Sequence, residues 1–157
     1  MRGESGIRTL PRLSRDLELV KASERAHAAT SAAEVGGWVG IVDDDASLRA
    51  ALARALRAHG IRVEAFASAE EFLRRDVEGE PECLILDIHL GGLSGFELQD
   101  LLTARGAAPP IVFITAHDAL LAERARAGGA SGFLRKPFET AHLIALLRPH
   151  LVTSSME

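Results

Sequence analysis

The chain has 157 residues, of which 47% are hydrophobic and 25% charged, and its formal net charge is −4. This length fits one domain of ordinary size with a modest extension. Cys83 is the only cysteine, so an intramolecular disulfide framework is excluded. No apolar run approaches the roughly 20 residues that cross a bilayer, which excludes a membrane-spanning protein. The arginine-rich N-terminus lacks the apolar segment of a secretory signal, so we expect a cytoplasmic protein.

Charge is distributed unevenly along the chain. Residues 1–36 carry six Lys/Arg and five Asp/Glu, whereas residues 37–157 carry twelve and seventeen, a balance of −5. Because neutralising phosphates requires clustered cations, this balance argues against direct nucleic-acid binding by this chain. Arginine is the usual cation here, and the only two lysines are Lys21 and Lys136. A lysine in such a chain is a weak indication of a site that uses a compact point charge.

The first part of the chain differs in pattern from the rest. Residues 1–36 are poor in strand formers and contain a weak helical stripe of leucine and valine. We expect this part to be a flexible arm or short helix outside the fold. The expected domain is then 37–152, followed by a C-terminal tail at 153–157.

Five short apolar runs after residue 37 predict strands. Four are continuous, which is typical of buried parallel strands. The second run alternates over Arg62–Phe66, as an edge strand with one wetter face does. The predicted strands are Trp38–Val42, Ile61–Phe66, Cys83–Asp87, Ile111–Thr115 and Gly132–Arg135.

Segments of helical periodicity lie between and after these runs. Leu48, Leu52 and Leu56 stand four residues apart and therefore lie on one helical face. Ser68 is predicted to cap the second helix, with Glu71 completing a capping box. Repeated βα units of this length imply a parallel sheet with helices on both faces. The other three helices are marked by Phe96, Leu98, Leu101 and Leu102, by Ala119–Ala127 and by Glu139–Leu147.

Polar side chains stand at the carboxyl ends of four predicted strands. The acidic run Asp43–Asp45 follows the first strand, Asp87 ends the third, Thr115 ends the fourth and Lys136 follows the fifth. Parallel strands end at one edge of their sheet, which is where open α/β sheets bind ligands. We therefore expect one pocket that holds several carboxylates, a hydroxyl and an ammonium group.

Such a pocket has a specific chemical use. Crowded carboxylates raise one another's pKa and destabilise the fold, and Mg²⁺ relieves this repulsion because it prefers oxygen ligands and phosphate co-ligands. A carboxylate that faces solvent beside the metal can attack a phosphoryl group and form an aspartyl phosphate. The metal and Lys136 would then neutralise the phosphoryl oxygens, and the Thr115 hydroxyl would hydrogen-bond to them.

These motifs together resemble the receiver domain of two-component response regulators, from about Gly37 to Leu151. Each motif alone is common, but the ordered set at successive strand ends is specific. The resemblance implies a flavodoxin-like α/β fold, with a doubly wound five-stranded parallel sheet of order 2-1-3-4-5 and five helices. The motifs that carry it are Asp43-Asp44, Asp87, Gly95 eight residues later, Thr115-Ala116 and Lys136-Pro137-Phe138.

The resemblance also implies a metal site. Mg²⁺ would be held by the side chains of Asp43, Asp44 and Asp87 and by the backbone carbonyl of His89. No other cofactor is expected.

Catalytic and switching roles follow from the same resemblance. Asp87 would be the phosphoacceptor, with Lys136 and Thr115 acting beside it, and the Lys136-Pro137 peptide bond would be cis. Thr115 would move toward the phosphoryl oxygens while Phe133 rotates into the space behind it. Because the chain has no tyrosine, this ring would signal by packing alone. Phosphorylation would then favour one of two pre-existing arrangements.

The chain departs from the family pattern in two places. Glycine replaces the usual proline in His89–Gly92, so we expect a looser loop, and the interval between Thr115 and Lys136 is slightly short. His89 and His117 each stand two residues after a site residue. We hypothesise that their side chains tune the lifetime of the aspartyl phosphate.

The predicted function is phosphorelay signalling, without enzymatic activity beyond self-phosphorylation and self-dephosphorylation. A histidine kinase or phosphotransfer protein would donate the phosphoryl group, and a protein partner would respond. By analogy, the fourth helix, fifth strand and fifth helix would form a homodimer face. A receiver fragment of a longer DNA-binding transcriptional regulator is the main alternative.

Two alternatives have weaker support. A Mg²⁺-dependent phosphatase of the haloacid dehalogenase type would have a second aspartate where His89 stands. A flavodoxin-like FMN binder would need a phosphate-binding loop after the first strand, and the acidic run there would repel phosphate.

Overall fold

A computed structural model describes residues 37–116 and 120–152. Five parallel strands form one sheet in the order β2-β1-β3-β4-β5, which confirms the predicted fold and topology. The expectations for residues 1–36, for His117 and for the tail at 153–157 lie outside the described residues. In chain order the elements are β1 (Val39–Val42), α1 (Ala46–Ala58), β2 (Val63–Phe66), α2 (Ala69–Leu73), β3 (Cys83–Asp87), α3 (Gly95–Ala104), β4 (Ile111–Thr115), α4 (Leu120–Ala127), β5 (Gly132–Arg135), α5 (Thr140–Leu147) and a 3₁₀ turn (Arg148–His150).

The three central strands are buried along their whole length, as their continuous apolar sequences predict. Strand β2 lies at an edge of the sheet, as predicted. Its burial does not alternate strictly, because Val63 and Phe66 are buried on opposite faces while Glu64 and Ala65 between them are partly or fully exposed. The solvent-exposed part of this edge strand is therefore its middle rather than one whole face.

Successive residues of each central strand point to opposite faces, and this divides the core into two layers. On one face, Ile41 and Ile85 pack with Leu56 of α1 and Leu143 of α5. The other face carries α2, α3 and α4 and contains most of the aromatic rings. Each buried leucine or isoleucine contributes about 1.5–3 kcal/mol to folding. The aromatic layer includes Trp38, Phe66, Phe72, Phe96 and Phe113.

Side-chain caps fix where the helices begin. The Ser68 hydroxyl accepts the Glu71 N–H at 3.0 Å, but the Glu71 carboxylate accepts the N–H of Ala67 rather than that of Ser68. The capping box predicted there is therefore only half formed. A complete box is present at the start of α3, where Ser94 and Glu97 bond to each other's backbone N–H. The same Ser-x-x-Glu spacing could have predicted it from the sequence.

Candidate functional site

Three aspartates meet at the carboxyl edge of the sheet. Strands β1 and β3 are neighbours, and their register pairs Val42 with Leu86. Asp43 directly follows β1 and Asp87 is the last residue of β3, so the two lie side by side. One carboxylate oxygen from each of Asp43, Asp44 and Asp87 lies within 4.8 Å of the others. Asp43 and Asp87 are buried, whereas Asp44 is exposed.

Lys136 brings a positive charge into this cluster from the end of β5. Its Nζ lies 3.0 Å from Oδ2 of Asp43 and 3.0 Å from Oδ2 of Asp87. Its backbone N–H donates to the carbonyl of Thr115 at 2.7 Å, which fixes the strand end from which the side chain extends. The Lys136-Pro137 peptide bond is cis. The ammonium group therefore bridges two carboxylates that belong to different strands.

The pKa values reflect this crowding. Burial raises the pKa of Asp87, and the negative charge of Asp43 raises it further, whereas the Lys136 hydrogen bond lowers it; the net direction is upward. Burial alone would lower the pKa of Lys136, but its hydrogen bond to Asp87 and the negative charges of both aspartates outweigh this and raise it. Lys136 is therefore fully charged at neutral pH.

Each polar atom of Asp43 takes part in a hydrogen bond or an ion pair. Its N–H donates to the carbonyl of Phe66 at 3.2 Å, and its Oδ1 accepts the N–H of Asp45 at 2.8 Å. Its carbonyl accepts a bond of 2.7 Å from Nη1 of Arg49. Among the described residues, its buried Oδ2 has the ion pair with Lys136 but no hydrogen bond of good geometry. This oxygen thus already faces one cation, the ammonium group of Lys136.

The loop after β3 is bonded at both ends. The Gly95 N–H donates to the carbonyl of Ile88 at 2.9 Å, and the Leu93 N–H donates to Oε2 of Glu70 at 2.9 Å. The bond from Leu93 lowers the pKa of Glu70. A Cβ at Gly95 would collide with the carbonyl oxygen of Asp87, which explains the glycine at this position. The expected looser loop is instead tied to α2, and sequence reasoning missed Glu70 because it lies 23 residues away.

The remaining predicted site residues have different environments. Thr115 is fully buried at the end of β4. Phe133 is half-buried on β5, opposite Phe113 in the strand register, and packs against the aromatic layer. His89 is exposed, while its N–H donates to Oδ1 of Asp87 at 3.1 Å. Thr115 and Phe133 thus lie on neighbouring strands and His89 lies two residues after Asp87, and the roles predicted for all three stay predictions.

A mostly apolar cavity of about 500 Å³ opens beside Lys136. It lies between α1 and the loop that joins β5 to α5. Sequence reasoning did not find it, because its lining comes from three separate segments. The lining residues are Asp45, Leu48, Ala51, Leu52, Ala116, Lys136, Pro137, Phe138 and Thr140.

Comparison with known proteins gives the family. Residues 39–148 match the model of the response regulator receiver domain. Nodulation protein W of Bradyrhizobium diazoefficiens is 42% identical over 105 residues, which are 66% of this chain and 46% of that protein. The transcriptional regulatory protein FixJ of Azorhizobium caulinodans is 39% identical over 118 residues, 74% of this chain and 56% of that protein. The chain thus spans about half the length of the curated relatives that it matches.

Solved structures agree with this match. The response regulator StyR is 45% identical, with a TM-score of 0.65 over 71% of this chain and 57% of that one. Full-length FixJ from B. japonicum is 34% identical, with a TM-score of 0.66 over 73% of this chain and 57% of that one. In the part of this chain that the structure describes, no helix has the length and apolar character to cross a membrane. The family model and the relatives together show that the chain belongs to the response regulator receiver family, whose domains generally signal rather than catalyse.

Proposed function

We propose that this chain is a Mg²⁺-dependent phosphorelay receiver in which Asp87 accepts the phosphoryl group. The observation that supports this most strongly is the arrangement of Asp87, Asp43 and Lys136, since Nζ of Lys136 lies 3.0 Å from both carboxylates. A cluster used only for stability would not need a third carboxylate, that of Asp44, within 4.8 Å.

The residues present fit a magnesium ion. Three carboxylate oxygens lie within 4.8 Å of one another, and among the described residues the buried Oδ2 of Asp43 has an ion pair with Lys136 but no hydrogen bond of good geometry. Hard oxygen donors of this kind suit Mg²⁺. Asp43, Asp44 and Asp87 would hold the ion together with the carbonyl of His89. When bound, the ion would neutralise charge on the transferring phosphoryl group.

The protein's own groups would then complete the transfer. A carboxylate oxygen of Asp87 forms a bond to phosphorus while the bond from phosphorus to the donor breaks, and the leaving group keeps the electron pair. The ammonium group of Lys136 neutralises the phosphoryl oxygens from one side. The hydroxyl of Thr115 donates to another oxygen, and Phe133 follows it inward. Burial of Asp87 excludes most of the water that would otherwise compete with transfer.

We further propose that the donor is a histidine kinase or a phosphotransfer protein and that a protein partner in the cytoplasm reads the switched state. The domain would span 37–152. Helix α4, strand β5 and helix α5 are the surface through which a homodimer would form. Autophosphorylation from small phosphodonors and self-dephosphorylation would be the only chemistry of this chain.

The test is phosphorylation with acetyl phosphate and Mg²⁺, followed by intact mass measurement. We expect the wild-type chain to gain one phosphoryl group and Asp87→Asn to gain none. Asp76→Asn is a matched control, because it removes an aspartate in the segment before β3, away from the cluster. Three results would contradict the proposal: modification of Asp87→Asn at the wild-type rate, no modification of the wild type, or modification of the wild type that does not require Mg²⁺.

A second proposal has one specific observation in its favour. The curated relatives are about twice as long as the matched region, and FixJ is named as a transcriptional regulatory protein. This chain would then be the receiver part of a longer transcriptional regulator, in which an output domain rather than the receiver contacts DNA. The length of the open reading frame in the genome tests this second proposal. A frame that extends well beyond this chain would support it, and a frame that ends with this chain would contradict it.

A further inference from the structure

Arg49 reaches back from α1 to the strand end that carries Asp43. It is the fourth residue of the helix and is half-buried. Its Nη1 donates to the carbonyl oxygen of Asp43 at 2.7 Å, across six residues of sequence. Hydrogen bonds from charged donors are shorter and stronger than neutral ones. The bond therefore fixes the peptide group immediately after Asp43.

This bond completes a network around one carboxylate. The N–H of Asp45 donates to Oδ1 of Asp43, and the Asp45 side chain in turn caps α1 by accepting the N–H of Ser47 and Leu48. The N–H of Arg49 also donates to the carbonyl of Asp45 at 2.9 Å. Arg49 thus anchors the turn at two carbonyls. With Oδ1 occupied, the turn directs Oδ2 of Asp43 toward Lys136 and the other aspartates.

We propose that Arg49 is a positioning residue for the metal site: by holding the carbonyl of Asp43, it keeps the Asp43 carboxylate in the orientation that binds Mg²⁺. This inference rests on the proposed function, because it assumes that the aspartate cluster binds the ion. Removing a group that hydrogen-bonds to a metal-binding residue and orients it commonly weakens metal affinity by 10–100-fold.

Simple electrostatics predicts the opposite effect. A guanidinium group near the cluster repels a divalent cation, so removing its charge would by itself tighten Mg²⁺ binding. Positioning predicts weaker binding after the same change. The sign of the change in affinity therefore separates the two roles of Arg49.

The experiment compares three variants of the full chain. Arg49→Met removes the charge and the donor but keeps a long unbranched side chain, and Arg49→Lys keeps the charge and one donor. Arg57→Met is the matched control, because Nη2 of Arg57 donates to the carbonyl of Val63 at 2.9 Å at the other end of the same helix. It loses the same kind of bond and the same charge, far from the cluster.

Two measurements are made on each variant, Mg²⁺ affinity by titration of amide chemical shifts and hydrogen exchange of the Asp45 amide without metal. For Arg49→Met we expect Mg²⁺ to bind about tenfold more weakly and the Asp45 amide to exchange faster. Arg49→Lys is expected between it and wild type, and Arg57→Met is expected to match wild type in both. Unchanged or tighter binding by Arg49→Met, or equal weakening by Arg57→Met, overturns the inference.

The two proposals fail in different ways. If the wild-type chain does not bind Mg²⁺, the proposed function fails at its metal site. Exchange of the Asp45 amide in the metal-free protein still tests the role of Arg49, because that amide bonds directly to Oδ1 of Asp43. Equal exchange in Arg49→Met and wild type would show that Arg49 does not position the turn.

Discussion

Replacing Lys136 with methionine tests how the charge cluster is balanced. The substitution leaves Asp43, which is fully buried, and Asp87, which is 5% exposed, without the ammonium group that lies 3.0 Å from both. Removing one partner of a buried ion pair typically costs about 3–5 kcal/mol, because the remaining charge stays buried and uncompensated. Domains of this size are stable by about 5–15 kcal/mol in total. We therefore expect Lys136→Met to lose a large part of its free energy of unfolding at neutral pH.

The pH dependence follows from the direction of the pKa shift. The pKa of Asp87 is already raised above its ordinary value of 3.8, mainly by burial, and loss of the Lys136 bond removes a cause that lowers it. A carboxyl group with a higher pKa in the folded state binds more protons when folded, so stability falls as pH rises through that pKa. The deficit of Lys136→Met relative to wild type should therefore shrink as the pH is lowered from neutral toward 5.

Urea unfolding followed by the fluorescence of Trp38 measures this directly, since Trp38 is the only tryptophan and is 2% exposed. Asp87→Asn should cost far less, because it leaves one carboxylate, that of Asp43, facing Lys136. Adding Asp87→Asn to Lys136→Met should recover part of the loss. A deficit below about 1 kcal/mol, the size typical of exposed ion pairs, or a deficit equal at both pH values, would refute this account.

Three further predictions concern other residues of the chain. Glu70→Ala should speed amide hydrogen exchange in the loop after β3, because it removes the acceptor of the Leu93 N–H. Glu71→Ala is the control, since it removes the same charge and a backbone hydrogen bond from the same helix turn, and it should leave exchange in that loop unchanged. Equal effects of the two substitutions would contradict the bond between Glu70 and the loop. Cys83 is buried and its pKa is raised to about 12, so a thiol reagent at pH 8 should label it only as fast as the protein opens. Labelling at the rate of a free peptide thiol would be inconsistent with that burial. His89→Ala and His117→Ala should each change the rate at which phosphorylated protein loses phosphate, measured by intact mass over time, and unchanged decay in both would rule out the tuning role.

Elements with strong local signals could be predicted from the sequence. The continuous apolar runs of the central strands and the polar residues at their ends carry enough information to place Asp43, Asp87 and Lys136 at one edge. The parallel βα alternation then limits the topology to few arrangements. The family resemblance supplied the strand order.

Contacts that depend on tertiary structure could not be predicted in this way. The bond from Arg49 to the carbonyl of Asp43 requires a specific rotamer and a specific turn, and arginine on a helix ordinarily faces solvent. The tie from Glu70 to the loop joins two segments that no local pattern connects. The half-formed capping box at Ser68 shows the converse: the motif is present, but the chain path before α2 brings a different N–H to the Glu71 carboxylate.

The cluster contains more negative than positive charge, and this imbalance bears on how the proposed switch works. Lys136 bridges Asp43 and Asp87 when no phosphoryl group is present, so its ammonium group already lies where oxygens added to Asp87 would extend. Under the proposed function, phosphorylation of Asp87 would add negative charge there and draw Lys136 away from Asp43. A cation at Oδ2 of Asp43 would then be needed, because that buried oxygen would otherwise lose its ion pair with Lys136. We therefore expect metal binding and phosphorylation to strengthen each other, with Lys136 as the group that would couple them.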